Sequence, residues 1–298
     1  MGSVLEQAVA HHRAGRLEEA ERLYAELLRA DPAQSDAWQF LGLIALSRGD
    51  AAAAVERIRR AIALKPEVGV YHFNLGLALR QQGDRDGAIA SYRHAAKLAP
   101  SLAEAHNNLG NGLRESGDLE GAASAFRRAV AVRPAYAEAQ LNLGVALQEL
   151  GRTDEAITAY REAERIKPDF ADAHYSLGLA LFQQGKLDAA LPEFRRAIEL
   201  RPTYIDAWNN FGVTLQAYGR FDEAMAAYRK VLEIDRAGST TAYRNIMAAA
   251  LHRASCDAAA RWATAQAFEA LYAAPIYKRP VAPYANSRDP ERQLRIGY

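Results

Sequence analysis

Residues 103–136 read AEAHNNLGNGLRESGDLEGAASAFRRAVAVRPAY, and most of the chain is built on this 34-residue unit. Within it apolar residues return at helical spacing, Gly117 parts two halves, and Pro134 closes the second. That pattern predicts two short amphipathic helices joined by a turn. Stepping 34 residues from Gly117 lands on Gly15, Gly49, Gly83, Gly151, Gly185 and Gly219. The same step from Ala122 meets Ala20, Ala54, Ala88, Ala156, Ala190 and Ala224, and Pro134 belongs with Pro32, Pro66, Pro100, Pro168 and Pro202. Three ladders with one period mark a helical solenoid, in which each unit buries its apolar face only against its neighbours.

The order of a large residue, Leu-Gly, Gly, Ala, aromatic, Ala and Pro resembles the tetratricopeptide repeat (TPR) pattern. The resemblance implies an all-α fold, a right-handed TPR superhelix or α-solenoid. Seven repeats are expected, at 1–34, 35–68, 69–102, 103–136, 137–170, 171–204 and 205–238. The first is degenerate, with Val4, Gln7 and Ala8 where a bulky residue and Leu-Gly belong, as suits a terminal repeat with one face toward water. Helix A of repeats two to six carries Leu41-Gly42, Leu75-Gly76, Leu109-Gly110, Leu143-Gly144 and Leu177-Gly178. A helical glycine costs about 1 kcal/mol against alanine, so its return implies close packing by helix B. Ala54 to Ala190 are read as the facing small residues, and Ile58, Tyr92, Phe126, Tyr160 and Phe194 as filling the space towards the next repeat. Asp50, Asp84 and Asp118 follow the turn glycine, where an aspartate caps helix B. Repeat seven keeps Trp208, Phe211-Gly212, Ala224 and Tyr228 but has Arg236 in place of proline. Residues 239–274 read as a C-terminal capping helix pair, and 275–298 as an extended linker.

Bulk properties exclude several classes. Lysine and arginine number 37 against 36 acidic residues, and a net charge of +1 offers no general attraction to nucleic acid or an acidic membrane. The single cysteine, Cys256, excludes an internal disulfide and fits a reducing compartment. MGSVLEQAVAHHRAG lacks the form of a signal peptide, and Glu6 stands where a myristoylation motif needs Ser or Thr. No run has the length of a membrane span, so a cytoplasmic protein is expected.

Function must then come from the groove that helices A line in such arrays. Counting Ala103 as position one, position six carries Asn74, Asn108, Asn142 and Asn210, with Ser176 breaking the series. Asparagine is a mediocre helix former, and two explanations for its return stand side by side. Its amide can fix the stacking of neighbouring helices, or it can grip the main chain of an extended peptide with both donor and acceptor. Position five holds Phe73, Asn107, Leu141, Tyr175 and Asn209, and position nine holds Leu77, Asn111, Val145, Leu179 and Val213. No lysine or arginine occupies either row, which argues against a clamp for acidic C-termini. The expected peptide-binding residues are therefore Asn74, Asn108, Asn142 and Asn210, with Asn107 and Asn111 beside them.

Other constellations fail on spacing. His72, His106 and His174 each sit at position four of a different repeat, where repeats two and seven have Trp38 and Trp208, so they read as packing residues and no metal site is expected. His11-His12 lies in the cap. Gly185-Lys186 lacks the rest of a phosphate loop, and Asp84 and Asp86 belong to a turn far shorter than a calcium loop. No catalytic constellation and no cofactor are expected within these residues.

The terminal run SRDPERQLRIGY, residues 287–298, alternates at its end like the start of a strand that has no partner in this chain. Together with the Asn-bearing repeats, it is similar to the junction in O-GlcNAc transferases and SPINDLY-type glycosyltransferases. There a like segment opens the catalytic lobe. The resemblance implies a parent that transfers a sugar from a nucleotide donor to Ser or Thr, with the repeats recruiting protein substrates in extended conformation. It also implies that the asparagine row holds the acceptor main chain, and that the chain stops at the threshold of a second domain. Members of that family associate through their repeats, which leaves a homo-oligomer open. The competing reading is a free-standing scaffold with no enzymatic parent.

Overall fold

A computed structural model describes residues 4–235, 240–253 and 266, and among these the only regular elements are helices. They fall into two compact units, the first ending at Pro202 and the second beginning at Thr203.

The first unit holds six helix pairs. They are α1 (Val4–Arg13) with α2 (Leu17–Ala30), α3 (Ser35–Ser47) with α4 (Ala51–Leu64), and α5 (Gly69–Gln82) with α6 (Arg85–Leu98). After them come α7 (Ala103–Glu115) with α8 (Leu119–Val132), α9 (Ala137–Glu149) with α10 (Thr153–Ile166), and α11 (Ala171–Gln183) with α12 (Leu187–Leu200). In each pair the first helix is helix A and the second helix B of one repeat. Each helix B also packs on the helix A that follows it within the unit. Thus the repeats stack into the right-handed α-solenoid that the period implied.

The turn between the two helices is made by a glycine in the left-handed region, such as Gly117 at φ +88°, and the same holds for all seven turn glycines. A side chain there costs roughly 1–2 kcal/mol, which explains why the ladder admits nothing else. Asp50, Asp84 and Asp118 do cap helix B: their Oδ1 atoms accept from Ala53, Gly87 and Gly121 N–H at 3.0, 2.9 and 2.9 Å. Each helix B ends one residue short of the residue before proline, where the backbone turns extended, as at Arg133 (φ −131°, ψ +90°).

The helical glycine of Leu-Gly has a different partner from the one expected. A Cβ on Gly110 would lie 2.6 Å from Phe126 Cε1, and one on Gly76 2.5 Å from Tyr92 Cε1. The large side chain of helix B therefore lies on the glycine of its own repeat, and Tyr92 also reaches the next repeat, lining a crevice with Asn108 and Asn111. Tyr92, Phe126, Tyr160 and Phe194 are all but fully buried there, and Ala54, Ala122, Ala156 and Ala190 are completely buried.

In the first repeat Tyr24 stacks on Phe40 at 5.3 Å, and His12 meets both rings edge-on. Burial lowers the His12 pKa, so this histidine is an aromatic packing element.

The second unit holds α13 (Ile205–Ala217), α14 (Phe221–Ile234) and α15 (Thr240–Arg253). Helix α14 stops at Ile234 although Arg236 replaces the proline, because Asp235 adopts the same extended backbone (φ −131°, ψ +88°). Helix α15 buries Ala242, Ile246, Ala249 and Ala250 and packs on α14. The second capping helix, apart from Gln266, and the linker 275–298 lie outside the described residues.

The Gly110→Ala substitution should destabilise the array by about 1–3 kcal/mol through overpacking against Phe126, despite the gain in helix propensity. Asp118→Ala should cost about 1 kcal/mol through loss of the cap. Urea unfolding followed by far-ultraviolet circular dichroism measures both, and the first should be the larger.

Candidate functional site

Successive helices A touch one another in three places within the first unit, α3 with α5, α7 with α9 and α9 with α11, whereas no two successive helices B approach as closely. A stack whose A helices are closer than its B helices bends towards its A side. The inner wall of the curve is thus formed by helices A, and their bridging side chains define it. Asn142 Nδ2 donates to Asn107 Oδ1 at 3.0 Å across α9 and α7. Arg114 pairs with Glu149 at 3.0 Å across the same helices, and Gln148 donates to Gln183 at 2.7 Å across α9 and α11. Between α5 and α3 the Tyr71 hydroxyl donates to Asp36 at 2.6 Å, and burial first, then that carboxylate, push its pKa up to about 12.

The expected asparagines do not behave alike. Asn74 and Asn107 are buried, each 6% exposed. Asn108, Asn111 and Asn142 are partly open, and Asn210 lies on α13 in the second unit, its carbonyl accepting from Thr214 at 2.7 Å. Asn108 and Asn111 share a small crevice with Arg80, Arg85, Tyr92 and Glu115. Tyr92 lines it, and its hydroxyl is buried without a hydrogen-bond partner. Its counterpart Tyr160 donates to Gln148 at 2.7 Å, so the difference lies in what position twelve supplies: glutamine there, Arg80 here.

Position twelve is the row that sequence reasoning missed. Arg80 and Arg114 bring basic groups to the helix A face, where positions five and nine have none. The stacking bridge also joins position five of one repeat to position six of the next, a pairing that counting one row at a time does not reveal. A larger cavity, about 670 Å³, lies elsewhere, on α8 to α10, and is lined by Arg127, Gln140, Leu143, Thr158, Arg161 and Arg165 among others.

The three position-four histidines do not meet. His72, His106 and His174 each place Nε2 on the carbonyl of the proline six residues earlier, at 2.8, 3.0 and 3.1 Å, as Trp38 does with Nε1 on Pro32 at 2.9 Å. His174 differs in one respect. Its Nδ1 lies 3.1 Å from Glu164 Oε1 and 2.8 Å from Glu193 Oε2. Burial lowers its pKa, but the two carboxylates and the Pro168 carbonyl outweigh that and raise it to about 10. Burial raises the pKa of Glu164 in turn.

With this geometry in hand, the comparisons are direct. Residues 76–113, 110–151 and 146–185 match the TPR repeat family, and residues 5–68 and 169–237 match tetratricopeptide repeat families. Comparison with curated protein sequences gave no match. Among solved structures the chain is similar to MamA, at 30% identity over 54% of this chain and 95% of that one, with a TM-score of 0.52. It is also similar to YrrB, a TPR protein with an unusual peptide-binding site, at 25% identity over 64% and 98%, with a TM-score of 0.55. The C-terminal part of a TPR repeat-containing protein from Cytophaga hutchinsonii shares the fold at 15% identity over 81% and 99%, with a TM-score of 0.66. The chain belongs to the tetratricopeptide-repeat family and is a protein-interaction module. No helix among the described residues is long and apolar enough to cross a membrane.

The raised His174 pKa has a definite consequence in metal-free buffer. The charged imidazole stabilises the fold fully below the unfolded histidine value near 6.5, and that contribution is lost as pH rises towards 10. Nuclear magnetic resonance titration of chelator-treated protein should find His174 still protonated at pH 8, and Glu193→Gln should bring its midpoint down.

Proposed function

We propose that the inner, helix A wall of this array recruits protein substrates by holding an extended peptide segment on Asn108, Asn111 and Asn142. The observation that carries this reading is the crevice beside Tyr92, where two amides open on the inner wall and a buried hydroxyl lacks a partner. Asn142 spends one N–H on Asn107, and an amide has a further N–H and an acceptor for a ligand. The stacking and gripping roles thus coexist on one row. Asn74 and Asn107 serve the stack, and Asn210 offers a further rung in the second unit.

Helices packed about 10 Å apart present one rung for roughly three residues of an extended chain. Each bond nets about 0.5–1.5 kcal/mol, and association has its own entropic cost. Binding of this kind is weak and tolerant of sequence, as recruitment of varied substrates requires. Likeness to YrrB, a TPR protein with a peptide-binding site, supports the same use of the fold. The resemblance of residues 287–298 to the start of a catalytic lobe supports a place for the module as the arm of an O-GlcNAc transferase-like or SPINDLY-like protein glycosyltransferase. Such an enzyme would modify Ser or Thr on proteins from a nucleotide sugar.

The test is fluorescence anisotropy with a labelled, unstructured Ser/Thr-containing peptide. Asn108→Ala with Asn142→Ala should weaken binding about tenfold, the loss of roughly one hydrogen bond's worth from each site, with an unchanged helical signal. Unchanged affinity in the folded double variant contradicts the gripping role, and loss of the helical signal assigns both residues to the stack. The glycosyltransferase part stands or falls separately. A coding sequence that continues past Tyr298 into a nucleotide-sugar transferase lobe supports it, and a stop codon leaves a free-standing scaffold.

A further inference from the structure

Three side chains on three helices converge at the joint of repeats five and six: Glu164 of α10, His174 of α11 and Glu193 of α12. They are the only group of three or more potential metal ligands among the described residues, and their ligand atoms all lie within 4.8 Å of one another. Each side chain is largely shielded, at 16%, 12% and 24% exposure.

The hydrogen bonds specify what belongs between them. The His174 Nε2–H is directed at the Pro168 carbonyl at 3.1 Å, so Nδ1 faces the two carboxylates. A lone pair on Nδ1 facing two anionic oxygens at 2.8 and 3.1 Å is repulsive unless a cation sits between them. One proton on Nδ1 can be donated well to only one oxygen, and Glu164 Oε1 is indeed left buried without a hydrogen bond. A metal ion would satisfy all three atoms at once.

We propose that Glu164, His174 and Glu193 form a zinc-class divalent cation site that ties repeat five to repeat six. Nitrogen and oxygen donors about 2.0–2.2 Å from tetrahedral zinc lie roughly 3.3 Å apart. The two nitrogen–oxygen separations, 3.1 and 2.8 Å, need to open by only a few tenths of an ångström. A ring nitrogen held by a backbone carbonyl is the usual outer support of a metal-bound histidine, fixing tautomer and orientation. Three protein ligands leave a fourth position for water. His106 makes the same proline contact at 3.0 Å but belongs to no ligand cluster, and it serves as an internal control.

The site answers to zinc chloride and cobalt chloride added to the chelator-stripped chain. Calorimetry should find one zinc ion per chain, thermal melting should shift upward, and cobalt should give visible absorption from a nitrogen–oxygen site. Zinc should also shift the His174 ring-nitrogen resonances and leave those of His106 in place, which reads the wild type directly. Glu193→Gln and His174→Gln should each weaken zinc binding at least about tenfold. The second change is already accommodated in the array, because Gln140 occupies the same position in repeat five. Absence of zinc uptake would overturn the proposal and leave protons as the only cations of the cluster. Equal binding by wild type and both variants, or unmoved His174 resonances on zinc addition, would overturn it as well.

Discussion

The array depends on one contact repeated along its length, the bulky side chain of helix B lying on a bare patch of helix A. Where a Cβ on Gly110 would stand 2.6 Å from the Phe126 ring, only hydrogen fits, and the two helices close to that distance. Burial of an aromatic side chain is among the larger single contributions to a core, and here it is made in every repeat but the second, where Ile58 takes its place. The capping aspartates and the left-handed turn glycines then fix the angle at which the pair closes. Stability in such a stack is a sum of these unit terms and of the joints between units.

The joints carry the chemistry. Because helices A approach one another more closely than helices B, polar side chains on the A face can span adjacent repeats, as Asn142 reaches Asn107 and Gln148 reaches Gln183. A wall that holds itself together by amides is also a wall that offers amides. The amides differ in accessibility: Asn74 and Asn107 are buried, whereas Asn108 and Asn111 line the crevice beside Tyr92. The exposed ion pairs, such as Arg201 with Asp172, add little by comparison.

The repeat ladders made the fold readable in advance, because a 34-residue period leaves few architectures and each rung has a local cause. The caps at Asp50, Asp84 and Asp118 were readable for the same reason, since their partners lie three residues away. What the ladders hid was anything joining different rungs. The Asn107–Asn142 bridge links two different positions of neighbouring units. The Arg80 and Arg114 row fell outside the positions counted. The position-four histidines looked equivalent because each has its proline carbonyl, yet only His174 has carboxylates on both sides, one ten residues before it and one nineteen after. Position in the unit sets a side chain's direction, and the neighbouring units decide what it meets.

The central claim is that ligands lie on the helix A wall and not in the larger cavity on α8 to α10. Photo-crosslinking decides it, with a photoreactive residue placed at Asn108 in one protein and at Thr158, which lines that cavity, in another. The account predicts capture of an unstructured peptide from position 108 and none above background from position 158. Capture from 158 alone would contradict it.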